Sequence, residues 1–244
     1  DTISCGNGTA NVMSMVFNTS TKERDENVCW YKYPNMIDIL RKAGYYAVWL
    51  SNQEPVGRWG NFDRYYAKRS DTCHFLHISG SAAGGGVAAA EYDEKLLPLL
   101  DDYLKLNQQP KQYYTIHLEG THENFRRRYP KSFAKFTAED EPGESDEQKK
   151  MQSEYDNAVY YNDYVVDEII RRFEDKNAIV FYISDHGMDL YDTGDFAGHS
   201  SEEKGSYHMI EVPFIVWASP SYKEQNPDVW ARIKGAVHRP YRTD

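Results

Sequence analysis

An aspartate and a histidine stand side by side, Asp185 and His186, where the apolar run Asn177-Ala178-Ile179-Val180-Phe181-Tyr182-Ile183 ends. A run rich in β-branched and aromatic residues reads as an interior strand, and open α/β sheets bind ligands beyond the carboxyl ends of their strands. Side chains diverge along a straight strand, but Gly187 lets the backbone turn, so both groups can converge on one cation. The competing reading is a turn in which Asp185 caps the next segment. Three more histidines have suggestive places: His117 ends a predicted strand, His122 follows it beyond Gly120, and His199 follows Gly198 in a loop rich in Asp and Ser. Carboxylate and imidazole together suit a borderline cation, zinc ahead of manganese, whereas calcium and magnesium favour oxygen alone.

Such a centre needs a nucleophile, and Ser4-Cys5-Gly6-Asn7-Gly8-Thr9-Ala10-Asn11-Val12-Met13 offers one. A glycine-rich turn leads into a short apolar helix with Thr9 at its N-terminus, where unpaired amides and the helix dipole attract an anion such as phosphate. Threonine is a weak nucleophile at neutral pH, and a divalent cation lowers the pKa of an oxygen that it holds. Two competing readings are a helix cap at Thr9 and a glycosylation sequon at Asn7-Gly8-Thr9. The run Arg126-Arg127-Arg128 reads as a solvated face or as a grip on acidic headgroups.

These residues need elements to position them. Asn35 to Ala43 has helical spacing between Pro34 and Gly44, and Tyr45 to Leu50 reads as a strand. Tyr92 to Leu106 reads as a helix with a kink or restart at Pro98, and Gln112 to Leu118 as a strand. Gln148 to Glu174 carries one apolar stripe and is the strongest helix; strands at Ala178 to Ser184 and Val212 to Ala218 follow, and Pro227 opens a short helix. Helices alternating with apolar strands indicate an α/β fold with a mostly parallel sheet covered on both faces. Ser79 to Ala90 and Ala138 to Lys150 read as loops, and Gly84 to Gly86 lack the pattern of a dinucleotide site.

With 244 residues and 40% hydrophobic content, one core and a single domain over 1–244 are expected. A net charge of -10 argues against broad binding to nucleic acid. Twenty Tyr and five Trp suit contact with sugars or a membrane interface. No apolar run is long enough to cross a bilayer, and Asp1 to Cys5 has no signal-peptide character. Cys5, Cys29 and Cys73 allow at most one internal bridge.

Five groups of residues then recur in order: Ser4-Cys5-Gly6-x-x-Thr9-Ala10; Tyr92-Asp93-Glu94-x-Leu96-Leu97; His117-x-x-Gly120-Thr121-His122 with Arg128-Tyr129-Pro130; Tyr155-Asp156-Asn157-Ala158; and Ser184-Asp185-His186-Gly187. Together, and through to Arg239-Pro240-Tyr241-x-Thr243-Asp244, they resemble the catalytic domain of the bacterial phosphoethanolamine transferases, lipopolysaccharide-modifying enzymes of the alkaline phosphatase superfamily. The resemblance implies an alkaline-phosphatase-like (sulfatase-like) fold and one or two zinc ions. It also implies a two-step transfer, in which phosphatidylethanolamine gives its headgroup to Thr9 and then to lipid A or a core sugar. Thr9, Asp185 and His186 match the metal ligands; His122 and His199 match histidines that hold the phosphate or a second metal, with His117 beside them. Asn52 and Gln53 fall where the family contacts phosphoethanolamine. A monomeric periplasmic domain is implied, joined to the bacterial inner membrane through segments outside the chain.

The departures from the family set further expectations. The family's zinc-ligating glutamate, in a Gly-Glu-Ser strand end, lies upstream of the nucleophile and is not among residues 1–244, so both ends are expected to be trimmed. Cys5 lacks its usual partner, with Cys29 as a substitute, and Met188-Asp189 stands where the family often has Glu. The C/S-x-P-x-R nucleophile motif of sulfatases is missing around Cys5. A phosphoglycerol transferase, a phosphodiesterase or a catalytically inactive lipopolysaccharide-binding fragment are the alternatives.

Overall fold

The apolar run Tyr46-Ala47-Val48-Trp49-Leu50 forms a strand whose residues 47–50 are completely buried, as expected of a parallel strand with neighbours on both edges. The structure, a computed structural model, describes residues 2–21, 23, 28–55, 61–76, 91–199 and 205–244, so the Gly/Ala-rich loop expected at Ser79 to Ala90 lies outside the described residues. In chain order the elements are β1 (Thr2–Ile3), α1 (Thr9–Val16), α2 (Met36–Lys42), β2 (Tyr46–Ser51), α3 (Asn61–Ala67), β3 (Thr72–Phe75), α4 (Leu96–Leu106) and β4 (Gln112–His117). There follow α5 (Asp146–Arg171), β5 (Ile179–Ile183), β6 (Asp189–Leu190), β7 (Ala197–Gly198), β8 (Phe214–Ala218), α6 (Pro220–Gln225), α7 (Pro227–Gly235) and β9 (Tyr241–Arg242). Among the described residues no helix is long and apolar enough to cross a membrane.

The chain separates into two compact units, one made of Asp1–Val16, Ser20–Arg24 and Val166–Asp244, the other of Phe17–Thr19 and Asp25–Val165. The second unit is built on a parallel sheet in the order β3-β2-β4, with Ser51 aligned to His117 at the carboxyl ends. Its core gathers Trp49, Tyr66, Ile37, Leu96, Leu100, Tyr161 and Val165, all at most 1% exposed. In the first unit β1 runs parallel to β9, while β5-β8 and β6-β7 are antiparallel pairs. The fold is therefore α/β with parallel sheets, as expected, but the strand leading to Asp185 pairs antiparallel.

That strand departs from its reading in a second way. Among the described residues β5 has β8 as its one neighbour, and Phe181 and Ile183 are exposed, so it is not the interior strand that its composition predicts. Of the two readings of Pro98 the structure has the restart: a 3-10 turn at Asp93–Lys95 precedes α4, and Pro98 falls in the first turn of α4, where a backbone N–H has no helical partner to lose.

The start of α2 shows how local chemistry sets an element. Asn35 accepts from the amide of Asp38 at 2.9 Å and donates to Asp38 Oδ2 at 2.8 Å, closing a reciprocal cap. Arg69 Nη2 also reaches that oxygen, at 2.5 Å. Burial by itself raises the Asp38 carboxyl, but hydrogen bonds from Arg69 and Asn35 outweigh it and leave the pKa below the ordinary value. A folded pKa below the unfolded one, about 3.9, means that the stabilisation is complete above that value and is lost as pH falls through the folded pKa. Asp38→Asn should cost about 1 kcal/mol at neutral pH in urea titrations, and the gap to wild type should close in acid. A gap that stays constant with pH would show that the carboxylate charge contributes nothing.

Candidate active site

Thr9 is the first residue of α1, because the carbonyl of Gly8 already accepts from the amides of Asn11 and Val12, at 3.1 and 3.2 Å. The hydroxyl of Thr9 therefore does not serve as the helix cap. It lies 3.4 Å from His186 Nε2, which in turn lies 3.6 Å from Asp185 Oδ2. His186 Nδ1 is 2.9 Å from the carbonyl of Gly187; a carbonyl only accepts, so Nδ1 carries the proton and the lone pair of Nε2 faces Thr9 and Asp185. The imidazole side chain is 9% exposed and the carboxylate 31%, which leaves the cluster open on the Asp185 side.

The spacing bears on whether these groups suit a cation. Zinc held tetrahedrally by nitrogen and oxygen sets its ligand atoms about 3.3 Å apart, whereas a good hydrogen bond is shorter than either contact. The Thr9–His186 and His186–Asp185 separations are thus close to those of neighbouring ligands on one zinc ion. Among the described residues no group of three or more His, Cys, Asp and Glu is placed to hold a metal, so the trio depends on Thr9. His199 stacks on His186, with ring centroids 3.9 Å apart and planes 21° from parallel, and its Nδ1 lies 3.3 Å from the carbonyl of Asn7.

Backbone contacts hold this arrangement. Gly187 donates to the carbonyl of Met209 at 2.8 Å, and a Cβ at residue 187 would stand 2.0 Å from the His208 carbonyl oxygen and 2.7 Å from that of Glu211. Ser4 donates its hydroxyl to the carbonyl of Asp185, and Ser184 donates to that of His186 at 2.8 Å. Asn7 donates its side-chain amide to the sulfur of buried Met209 at 3.9 Å, so the sequon asparagine is engaged on both its side chain and its carbonyl. The amide of Cys5 donates to Thr243 Oγ1 at 3.1 Å, which ties the glycine-rich turn before Thr9 to the C-terminal motif. Fully buried Asp189 takes the Thr193 hydroxyl at 2.6 Å and the Asp192 amide at 3.1 Å, closing the turn between β6 and β7, and His199 follows directly on β7. Burial raises its carboxyl, yet hydrogen bonding by Ser206, then by Thr193 and the Asp192 amide, holds it below the ordinary value.

In the second unit, His117 Nδ1 lies 3.2 Å from Ser51 Oγ and 3.6 Å from buried Asp63. Asn52 is fully buried; its Nδ2 donates at 2.8 Å to both Asp93 and the Glu91 carbonyl, while its Oδ1 has no hydrogen-bond partner among the described residues. Gln53 donates to the Leu118 carbonyl at 3.3 Å, and exposed His122 faces Arg128 at 3.4 Å. Thr9, Asp185, His186 and His199 are thus brought together in the first unit, whereas Asn52, Gln53, His117 and His122 stand at or beyond strand ends of the second. Sequence reasoning missed the supports Ser4, Asp93, Asp189 and Met209; of these only Ser4 and Asp93 carried a signal, as members of the recurring motifs. Cys5, Cys29 and Cys73 are all free thiols, so of the pairings left open by the sequence none is formed, Cys5–Cys29 included. Gly187→Ala should destabilise the fold by about 3 kcal/mol in chemical denaturation, because backbone carbonyls rather than flexible side chains fill the space. A loss below about 0.5 kcal/mol would mean that the approach is not tight.

Comparison with known proteins follows the same residues. The profile of the sulfatase family matches residues 1–241. Among curated proteins, phosphoethanolamine transferase EptC of Escherichia coli is 30% identical over 200 residues, covering 80% of this chain and 34% of that protein. Kdo(2)-lipid A phosphoethanolamine 7''-transferase of Escherichia coli is 33% identical over 145 residues, covering 58% of this chain and 26% of that one. The chain therefore spans about a third or less of the length of these relatives. Of solved structures, the C-terminal periplasmic domain of Escherichia coli EptC in complex with Zn superposes with a TM-score of 0.82 at 26% identity, over 93% of this chain and 63% of that domain. The fold is alkaline-phosphatase-like, and a protein in the alkaline phosphatase superfamily from Vibrio parahaemolyticus shares it with a TM-score of 0.58 at 14% identity. Over residues 1–241, the chain belongs to the sulfatase family.

Proposed function

We propose that this chain is the catalytic part of a zinc-dependent phosphoethanolamine transferase, which moves the headgroup of phosphatidylethanolamine to lipid A or a core sugar at the periplasmic face of the bacterial inner membrane. The observation that carries the reading is the convergence of Thr9 Oγ1, His186 Nε2 and Asp185 Oδ2 at the N-terminus of α1. The similar proteins support the chemistry: phosphoethanolamine transferases, one of them acting on lipid A, and a related periplasmic domain in complex with Zn.

In this reading Thr9, Asp185 and His186 hold the cation. When bound, it lowers the pKa of the threonine hydroxyl and offsets charge on the phosphoryl oxygens. Thr9 Oγ1 attacks phosphorus, the bond to the diacylglycerol oxygen breaks, and that oxygen leaves with the proton that Thr9 gives up. An acceptor oxygen then attacks the phosphothreonine, and Thr9 recovers its hydroxyl. Amides at the start of α1 orient the anion. Asp185 and His186 need no rearrangement, since their carbonyls are already pinned by Ser4 and Ser184. His199 is assigned to the phosphoryl group through its stacking on His186. Asn52, Gln53, His117 and His122 are assigned to the substrate on their motif positions alone.

Incubation with phosphatidylethanolamine should leave a phosphoethanolamine adduct on Thr9, located by mass spectrometry of the digested protein. Thr9→Ala should abolish the adduct, while zinc still binds, more weakly, through Asp185 and His186. Wild-type protein that holds zinc yet forms no adduct would sink the mechanism. Asp185→Asn should weaken zinc by at least about 100-fold in competition with a chromophoric chelator, since removing a ligand costs more than removing a group behind one.

A further inference from the structure

The arginine run falls within the second unit, and one of its members is not on a solvated face. Arg128 has a side chain only 10% exposed, and its Nη1 lies 2.6 Å from Glu119 Oε1. Its Nε donates to the carbonyls of His122 and Glu123 at 3.0 and 3.1 Å, and its Nη2 donates to that of Glu123 at 2.7 Å. The same Nη2 lies 3.4 Å from His122 Nδ1. Glu119 is itself held from behind: its amide and that of Gly120 donate at 2.8 Å to the two oxygens of buried Asp93. The planar guanidinium is therefore fixed on several sides before it meets the imidazole.

A guanidinium has donors and no acceptor, so the nitrogen facing it must present a lone pair. His122 Nδ1 is that nitrogen, and in a neutral imidazole the proton then sits on Nε2. We propose that Arg128 is a positioning residue that fixes His122 as the Nε2–H tautomer, making it a hydrogen-bond donor to a phosphoryl oxygen and removing it from the metal ligands. His186 is the opposite case: its Nδ1 donates to a carbonyl and its Nε2 presents the lone pair. Two histidines of similar motif standing thus carry complementary chemistry, one offering a lone pair and the other a proton. The ligand's identity as a phosphoryl group rests on the transferase reading; the tautomer does not.

The test is nitrogen-15 NMR of the imidazoles in the intact chain, with the His122 signals identified by their loss in His122→Gln. In wild type, Nε2 should show the protonated, pyrrole-like signature and Nδ1 the unprotonated one. Arg128→Gln should shift His122 toward a tautomer mixture, and Arg128→Lys, which keeps a charged donor, should restore the wild-type pattern in part. Zinc alone should move the signals of His186 and leave those of His122 in place. Inorganic phosphate should move the His122 Nε2–H signal, and Arg128→Gln should need roughly tenfold more phosphate for the same displacement. A protonated Nδ1 in wild type, a zinc-shifted His122 Nε2, or no response to phosphate would each overturn the proposal. The wild-type spectra decide it even if Arg128→Gln does not fold. A missing adduct on Thr9 would instead count against the transferase reading and leave the tautomer result standing.

Discussion

The carbonyl of His208 occupies the space that a side chain at residue 187 would need, and the amide of Gly187 is bonded to the carbonyl of Met209 beside it. Much of the first unit follows from that close approach. With residue 187 held there, Asp185 and His186 leave β5 in a set direction, and Nδ1 of His186 is turned onto the Gly187 carbonyl. The same turn brings buried Met209 against Asn7, whose carbonyl meets His199. Thr9 comes two residues later, at the start of α1. The donors of the cluster are thus aligned by backbone contacts and not mainly by one another, which lets them keep the separation of ligands instead of collapsing into hydrogen bonds.

Buried polar side chains perform a related task in the loops. Asp93 collects two backbone amides and the side chain of Asn52, Asp189 collects a hydroxyl and an amide, and Asn157 accepts from the amides of Lys135 and Phe136 and donates to the carbonyl of Phe136. Each replaces the water that an isolated loop would use, and its cost of burial is offset only while every bond is made. Such side chains therefore specify one loop conformation. The recurring Tyr92-Asp93 and Asp156-Asn157 motifs gain a physical explanation here: they act on backbone.

Long periodic elements were legible and short or context-dependent ones were not. The apolar stripe of α5, the capped start of α2 and the uniformly apolar β2 are each written in consecutive residues, and their bounds differ from the reading by only a few positions. The two-residue strands β1, β6, β7 and β9 have no period to detect, and α3, β3 and α6 passed unread for similar reasons of length. The antiparallel partner of β5 depends on pairing with β8, more than thirty positions away, which no local pattern encodes. The thiols tell a parallel story: a cysteine count cannot state whether Cys5 lies buried or bridged, and it is buried and free.

From the residues alone came the identity of the reactive groups, their attachment to strand and helix ends, and a resemblance borne by the order of several modest motifs. Which nitrogen of His186 faces a carbonyl and which faces Thr9 came only from the tertiary structure, and so did the departure of Thr9 from a capping role. Hydrogen-bond direction is set by the partner. The partners are carbonyls, a guanidinium and a hydroxyl whose placement depends on contacts such as Ser4 with Asp185 or Gly187 with Met209. A sequence names the donors and acceptors that a chain possesses; only the folded chain decides which of them face each other.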